Sequence, residues 1–66
     1  MMNVYLKDYP IMYKSDIKIV EKLQKLTNTE TFWDDVRKLT KRIHSDRYIS
    51  RWQIYAEIRF NILTKG

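Results

Sequence analysis

Between Ile11 and Lys65 the chain contains neither glycine nor proline; its single proline is Pro10 and its single glycine is Gly66. Those two residue types supply most tight turns, glycine by reaching positive φ and proline by presetting φ. Multi-stranded sandwiches and barrels need a turn every 8–12 residues or so, and this stretch lacks the two residue types that most often make one. Glycine-rich phosphate loops are excluded by the same count, because neither G-x-G-x-x-G nor G-x-x-x-x-G-K-[ST] can be written here. What is left is helices joined by polar connections. At 66 residues there is material for one core, and a chain this short buries only about 60% of the surface its unfolded form exposes. With no cysteine no disulfide can reinforce it, and with His44 as the lone histidine a structural zinc is hard to build. Neither a metal nor any other cofactor is expected. Aromatic packing, at 14% of residues, and a partner are the remaining aids.

Three helices can be placed along the chain. Residues 1 to 9 alternate weakly, with Met2, Val4 and Leu6 against Asn3, Tyr5 and Lys7, which fits a short extended segment closed by Asp8-Tyr9-Pro10. From Ser15, a capping residue, Ile19, Val20, Leu23 and Leu26 share one side at helical spacing, and the helix should end near Thr27-Asn28. Asp16 sits at the positive end of its dipole. Thr27-x-x-Glu30 and Thr31-x-x-Asp34 both read as capping boxes opening a second helix, 31 to 44. There Phe32, Val36, Leu39 and Ile43 recur at i, i+4, i+7 and i+11, within about 40° of one line. Asp34 and Asp35 lead and Arg37, Lys38, Lys41 and Arg42 follow, the order a helix dipole favours.

The last segment supports two readings. Ile54, Ala56, Ile58, Phe60 and Ile62 alternate with Gln53, Tyr55, Glu57, Arg59 and Asn61, a period of two that suits a strand. Ser50-x-x-Gln53 is a capping box, however, and Trp52, Ala56, Phe60 and Leu63 then recur at i, i+4, i+8 and i+11. Helix is preferred, since a lone strand has only the N-terminal segment to pair with. The expected fold is therefore mainly all-α, a single three-helix domain of residues 1–66 with a short extended N-terminus. The alternative is α+β, with residues 52–62 as a strand.

Charge is distributed unevenly. Residues 1–35 hold five basic and six acidic side chains, a net of −1, whereas residues 36–66 hold eight and two, a net of +6. The excess is concentrated in Arg37, Lys38, Lys41, Arg42, Arg47 and Arg51, with Asp46 the only acid among them. On the second helix the first four project away from the apolar stripe, so burying the stripe turns them to solvent. Such a surface can neutralise phosphates and release counterions. It can equally be a solvated face offset by Asp34 and Asp35.

The run Ile49-Ser50-Arg51-Trp52-Gln53-Ile54-Tyr55-Ala56-Glu57-Ile58, ending in Lys65-Gly66, resembles the recognition-helix stretch of helix-turn-helix and winged-helix DNA-binding domains. The resemblance implies that Ser50 caps, that Ile54 and Ile58 face the core, and that residues 31 to 44 form the supporting helix. It also implies a DNA-binding transcriptional regulator, with Lys38, Lys41 and Arg42 on phosphates and Arg47, Arg51 and Gln53 near the groove. Three features depart from the pattern: the connection from Ile43 to Ser50 is long and lacks glycine, Asn61 stands where a third aliphatic belongs, and Trp52, Ala56 and Phe60 would lie toward the DNA.

Those last residues suggest a different use. Trp52, Tyr55, Ala56 and Phe60 could form the grip of a protein interface, since aromatic clusters make hot spots. The alternative function is accordingly a protein-binding inhibitor or adaptor, of the type phages and plasmids encode to block a host enzyme or defence complex, steered by its charge to an acidic partner. The same face could complete a homodimer. Catalysis is not expected: His44-Ser45-Asp46 lists triad residue types, but as sequence neighbours they do not converge, and Asp34-Asp35 sits where a helix start wants negative charge. The longest uncharged, mostly apolar run, Tyr9 to Tyr13, is far short of the roughly 20 residues that span a bilayer, and the N-terminus lacks a signal-peptide pattern. A cytoplasmic location, or the host cytoplasm for a phage protein, is expected, with no membrane partner.

Overall fold

A computed structural model describes Tyr9, Ile11 and residues 13–65; the extended segment expected at the N-terminus lies almost wholly outside these. The fold is all-α. Three helices, α1 (Asp16–Gln24), α2 (Phe32–Thr40) and α3 (Asp46–Lys65), follow one another, with no strand among the described residues. The strand alternative for residues 52–62 is overturned: all eleven lie inside α3.

The ends of the helices differ from the capping boxes written in the sequence. Ser15 precedes α1 but adopts helical dihedrals, φ −64° and ψ −22°, and its side chain makes no capping bond. Capping needs a residue outside the helical region, so that its oxygen can turn back onto the N–H groups ahead. The chain enters α1 through tight i→i−3 bonds instead, Asp16 N–H donating to Tyr13 O at 2.9 Å and Ile17 N–H to Lys14 O at 3.1 Å. Before α2, Thr31 Oγ1 donates to Asp35 Oδ2 at 3.0 Å, and its side chain makes no capping bond to the backbone. The Thr27 box is replaced by a turn in which Glu30 N–H donates to Asn28 Oδ1 at 2.9 Å. α3 starts four residues earlier than Ser50. Ser45 caps it, its Oγ accepting from Tyr48 N–H at 3.3 Å, and Ser50 Oγ donates back to Asp46 O at 2.9 Å from within the helix.

α1 and α2 are shorter than expected for related reasons. α1 closes with i→i−3 bonds from Lys25 N–H to Lys22 O and from Leu26 N–H to Leu23 O. In α2, Thr40 Oγ1 donates to Val36 O at 3.0 Å, and Ile43 N–H bonds Thr40 O at 3.0 Å in another tight turn. This tightening takes Ile43 off the 3.6-residue spacing, so it is only half-buried, and Leu39 is left 40% exposed. Of the four-residue stripe, Phe32 and Val36 reach the core.

α3 is the organising element and packs against both other helices. Its 20 residues rise about 30 Å at 1.5 Å each, matching the longest dimension of the molecule, 31 Å. It buries Trp52, Tyr55, Ala56 and Arg59, the i, i+3, i+4, i+7 set of a helix face. They join Tyr9, Ile19, Val20, Leu23, Phe32 and Val36, with Ile11, Leu26, Tyr48, Phe60 and Leu63 packed around them. Phe60 stacks between α2 and α3, 5.4 Å from the Phe32 ring centre and 5.6 Å from that of Trp33.

Two buried polar side chains tie α3 to α1. Asp16 is fully buried, and its carboxylate accepts from Arg51 Nε at 2.9 Å and from Tyr55 Oη at 2.7 Å. Arg59 donates through Nη2 to the carbonyls of Gln24 at 3.1 Å and Leu26 at 3.3 Å. It thereby caps the end of α1, where the backbone has acceptors without intrahelical donors.

Candidate nucleic-acid interface

The connection between α2 and α3, residues 41–45, gathers the basic side chains at one corner. Arg37 and Lys38 lie in the last turn of α2, Lys41 and Arg42 in the turn that follows, and Arg47 in the first turn of α3. All five are exposed. Among the described residues the one ion pair is Asp16–Arg51, so none of the five is ion-paired there, although Asp46 is exposed next to Arg47 in the first turn of α3. Asp34 and Asp35, in the first turn of α2, make no ion pair with the cluster among the described residues, and Asp35 is held by Thr31. Arg37 and Lys38 gain from the negative end of the α2 dipole. Arg47 has no such reason to be where it is, at the positive end of α3.

Arg51 is separated from this group. It was expected to meet phosphate or a base edge, but it is 20% exposed and bound to Asp16, with its guanidinium 4.8 Å from the Tyr13 ring centre and 5.1 Å from that of Tyr48. A cation held between a buried carboxylate and two aromatic rings is part of the fold. Gln53, the seventh residue assigned to DNA, is exposed on α3.

The protein-interface set is largely consumed by the core. Trp52, Tyr55 and Ala56 are buried within the chain itself, and Phe60 is half-buried against Phe32 and Trp33. The physical reason is that α1 and α2 cover the face of α3 that bears them. Ile54, which the helix-turn-helix resemblance turns inward, is 43% exposed, and Ile58 is half-buried. The exposed positions of α3 are instead Asp46, Arg47, Ser50, Gln53, Ile54, Glu57, Asn61, Thr64 and Lys65.

An open groove of about 230 Å³ runs beside the basic corner, between α2 and α3. Trp33, Val36, Arg37 and Thr40 line one side, and Ile49, Trp52 and Gln53 the other. Trp33 remains 41% exposed although its ring is braced by Phe32, edge-on at 5.1 Å, and by Phe60. Trp52 Nε1 is buried with no acceptor. Sequence reasoning missed this groove because Trp33 lies outside the stripe Phe32-Val36-Leu39-Ile43, and nothing in its spacing pairs it with Gln53.

No cluster of three or more histidine, cysteine, aspartate or glutamate side chains suited to a metal occurs among the described residues. Likewise, no helix among them is long and apolar enough to cross a membrane. No protein-family model, characterised protein or solved structure matches the chain.

Proposed function

We propose that this domain is a non-enzymatic nucleic-acid-binding protein that grips the phosphate backbone with the α2–α3 corner. The observation that carries this reading is the set of five exposed cations, Arg37, Lys38, Lys41, Arg42 and Arg47, without an ion-pair partner among the described residues. An unpaired cluster of this kind is costly through self-repulsion and becomes favourable when it meets a polyanion and releases its counterions. The uneven sequence charge points the same way, since the half of the chain that holds the corner carries the whole excess.

DNA is the polymer to test first. A role in transcription regulation would be the finer form of this reading, and it rests on the helix-turn-helix resemblance. α3 supports that form only in part: it offers Arg47, Ser50 and Gln53 outward, but it also presents Ile54 and Glu57, and Arg51 is engaged elsewhere. The phosphate-binding statement does not depend on it.

Fluorescence anisotropy of labelled DNA, duplex and single-stranded, at about 50 and about 200 mM salt is the direct test. Five phosphate contacts on a duplex give a slope near −4.5 in log K against log salt, or a weakening of about 500-fold over that fourfold range. Absence of binding to either form at the lower salt would refute the reading.

A further inference from the structure

We infer that the groove between α2 and α3 is a site for one unstacked nucleobase, so that the preferred ligand of the basic corner is a single strand. This rests on the phosphate-binding reading and adds to it the state of the nucleic acid. Three observations place a base there. First, Trp33 is a large ring 41% open to solvent yet fixed by contacts with Phe32 and Phe60. A ring already immobilised loses little entropy when a base stacks on it, and single-strand-binding proteins use such platforms. Second, the groove is about 230 Å³, below the roughly 300–1,000 Å³ of sites for drug-sized ligands, which is room for one planar base. Third, its apolar lining of Val36, Ile49 and Trp52 is edged by the guanidinium of Arg37 and the amide of Gln53. Together these two side chains can donate to and accept from the polar edge of any base.

The occupant follows from charge. Arg37 belongs both to the groove and to the cationic corner, and Lys38, Lys41, Arg42 and Arg47 continue from it. A strand whose base entered the groove would therefore have its flanking phosphates beside cations that lack partners. In a duplex the bases are stacked and paired, and reaching the groove would require extruding one. Thr40 Oγ1 donates to Val36 O, so it keeps only acceptor capacity toward a ligand, and selectivity for one base over another is not expected from so small a polar set.

The test is anisotropy at about 50 mM salt with three probes of equal length: a mixed-sequence single strand, its duplex, and a single strand of abasic sites that keeps every phosphate. Stacking of one base contributes about 1–3 kcal/mol, so the single strand should bind at least about fivefold more tightly than either of the others. Trp33→Ala should abolish the difference between the base-bearing and abasic strands. Because Trp33 also braces Phe60, Gln53→Ala is the companion variant; it should narrow the same difference while leaving the fold intact by circular dichroism. If the abasic strand or the duplex binds as well as the single strand, the base site is wrong and the phosphate surface stands. If no probe binds, both are wrong.

Discussion

Asp16 and Arg51 show how differently a charged residue can be used in one small chain. Asp16 looks like a helix-dipole residue in the sequence, yet it is fully buried and receives hydrogen bonds from Arg51 and Tyr55. Removing one partner of a buried pair strands the other in a medium that solvates it poorly, at a cost of about 3–5 kcal/mol. Arg51→Ala is expected to lose about 3 kcal/mol in urea denaturation, because the carboxylate left behind loses its charged partner and retains the Tyr55 hydroxyl. Tyr55→Phe removes a hydrogen bond to a charged group and should lose about 1.5–3 kcal/mol. A chain of this length has about 3–10 kcal/mol of stability in total, so either variant should show a clearly lowered midpoint. Midpoints unchanged in both would mean that the Asp16 cluster does not hold α3 to α1.

At the scale of elements, the two serines of α3 separate the real start of the helix from the apparent one. Ser45 accepts a backbone N–H and Ser50 only donates back to Asp46 O. Loss of a true cap costs about 1 kcal/mol, whereas alanine in the exposed interior of a helix is favourable by a few tenths. Ser45→Ala should therefore lower the thermal midpoint, and Ser50→Ala should leave it unchanged or raise it slightly. The reverse order would place the start of α3 near residue 50, as the Ser50-x-x-Gln53 pattern suggested. The same lesson holds at α1, whose end is satisfied by Arg59, a residue 33 or more positions away in the chain. No local signal could have named it.

For the whole molecule, the charges that hold the fold and those proposed to bind phosphate are different sets. The buried pair joins α1 to α3, while the five exposed cations touch no carboxylate among the described residues. Reversing Lys41 and Arg42 to glutamate should change stability by no more than about 0.5 kcal/mol, the usual range for surface sites. Affinity for duplex DNA should fall sharply, and its salt slope should move from about −4.5 toward about −2.7 as two phosphate contacts disappear. An unaltered slope would show that the corner does not hold the phosphates. Trp52→Ala should instead unfold much of the population, since a buried tryptophan contributes about 3–5 kcal/mol.

Residues 52–62 stay open between helix and strand in the sequence, but the helical character of the first two segments and the excess charge of the second half are legible in it. Both follow from local facts: the lack of turn-makers after Pro10, the 3.6-residue spacing of Ile19, Val20 and Leu23, and a count of cations. The sequence stripe Phe32-Val36-Leu39-Ile43 named two core residues, Phe32 and Val36, and two that the core does not bury, Leu39 and Ile43. Which cations lack an ion-pair partner among the described residues depends on how the helices pack. Arg37, Lys41, Arg47, Arg51 and Arg59 are alike in sequence, and what distinguishes them is whether a carboxylate or an exposed carbonyl from another helix lies within reach. The tertiary structure likewise decided that Tyr55 and Arg59 face inward although the two-residue alternation put them outside, since a helix turns by 100° per residue and not by 180°. The groove beside Trp33 belongs to the same class of facts. It exists only where two helices 33–40 and 49–53 residues along the chain are brought together, and no spacing within either of them encodes it.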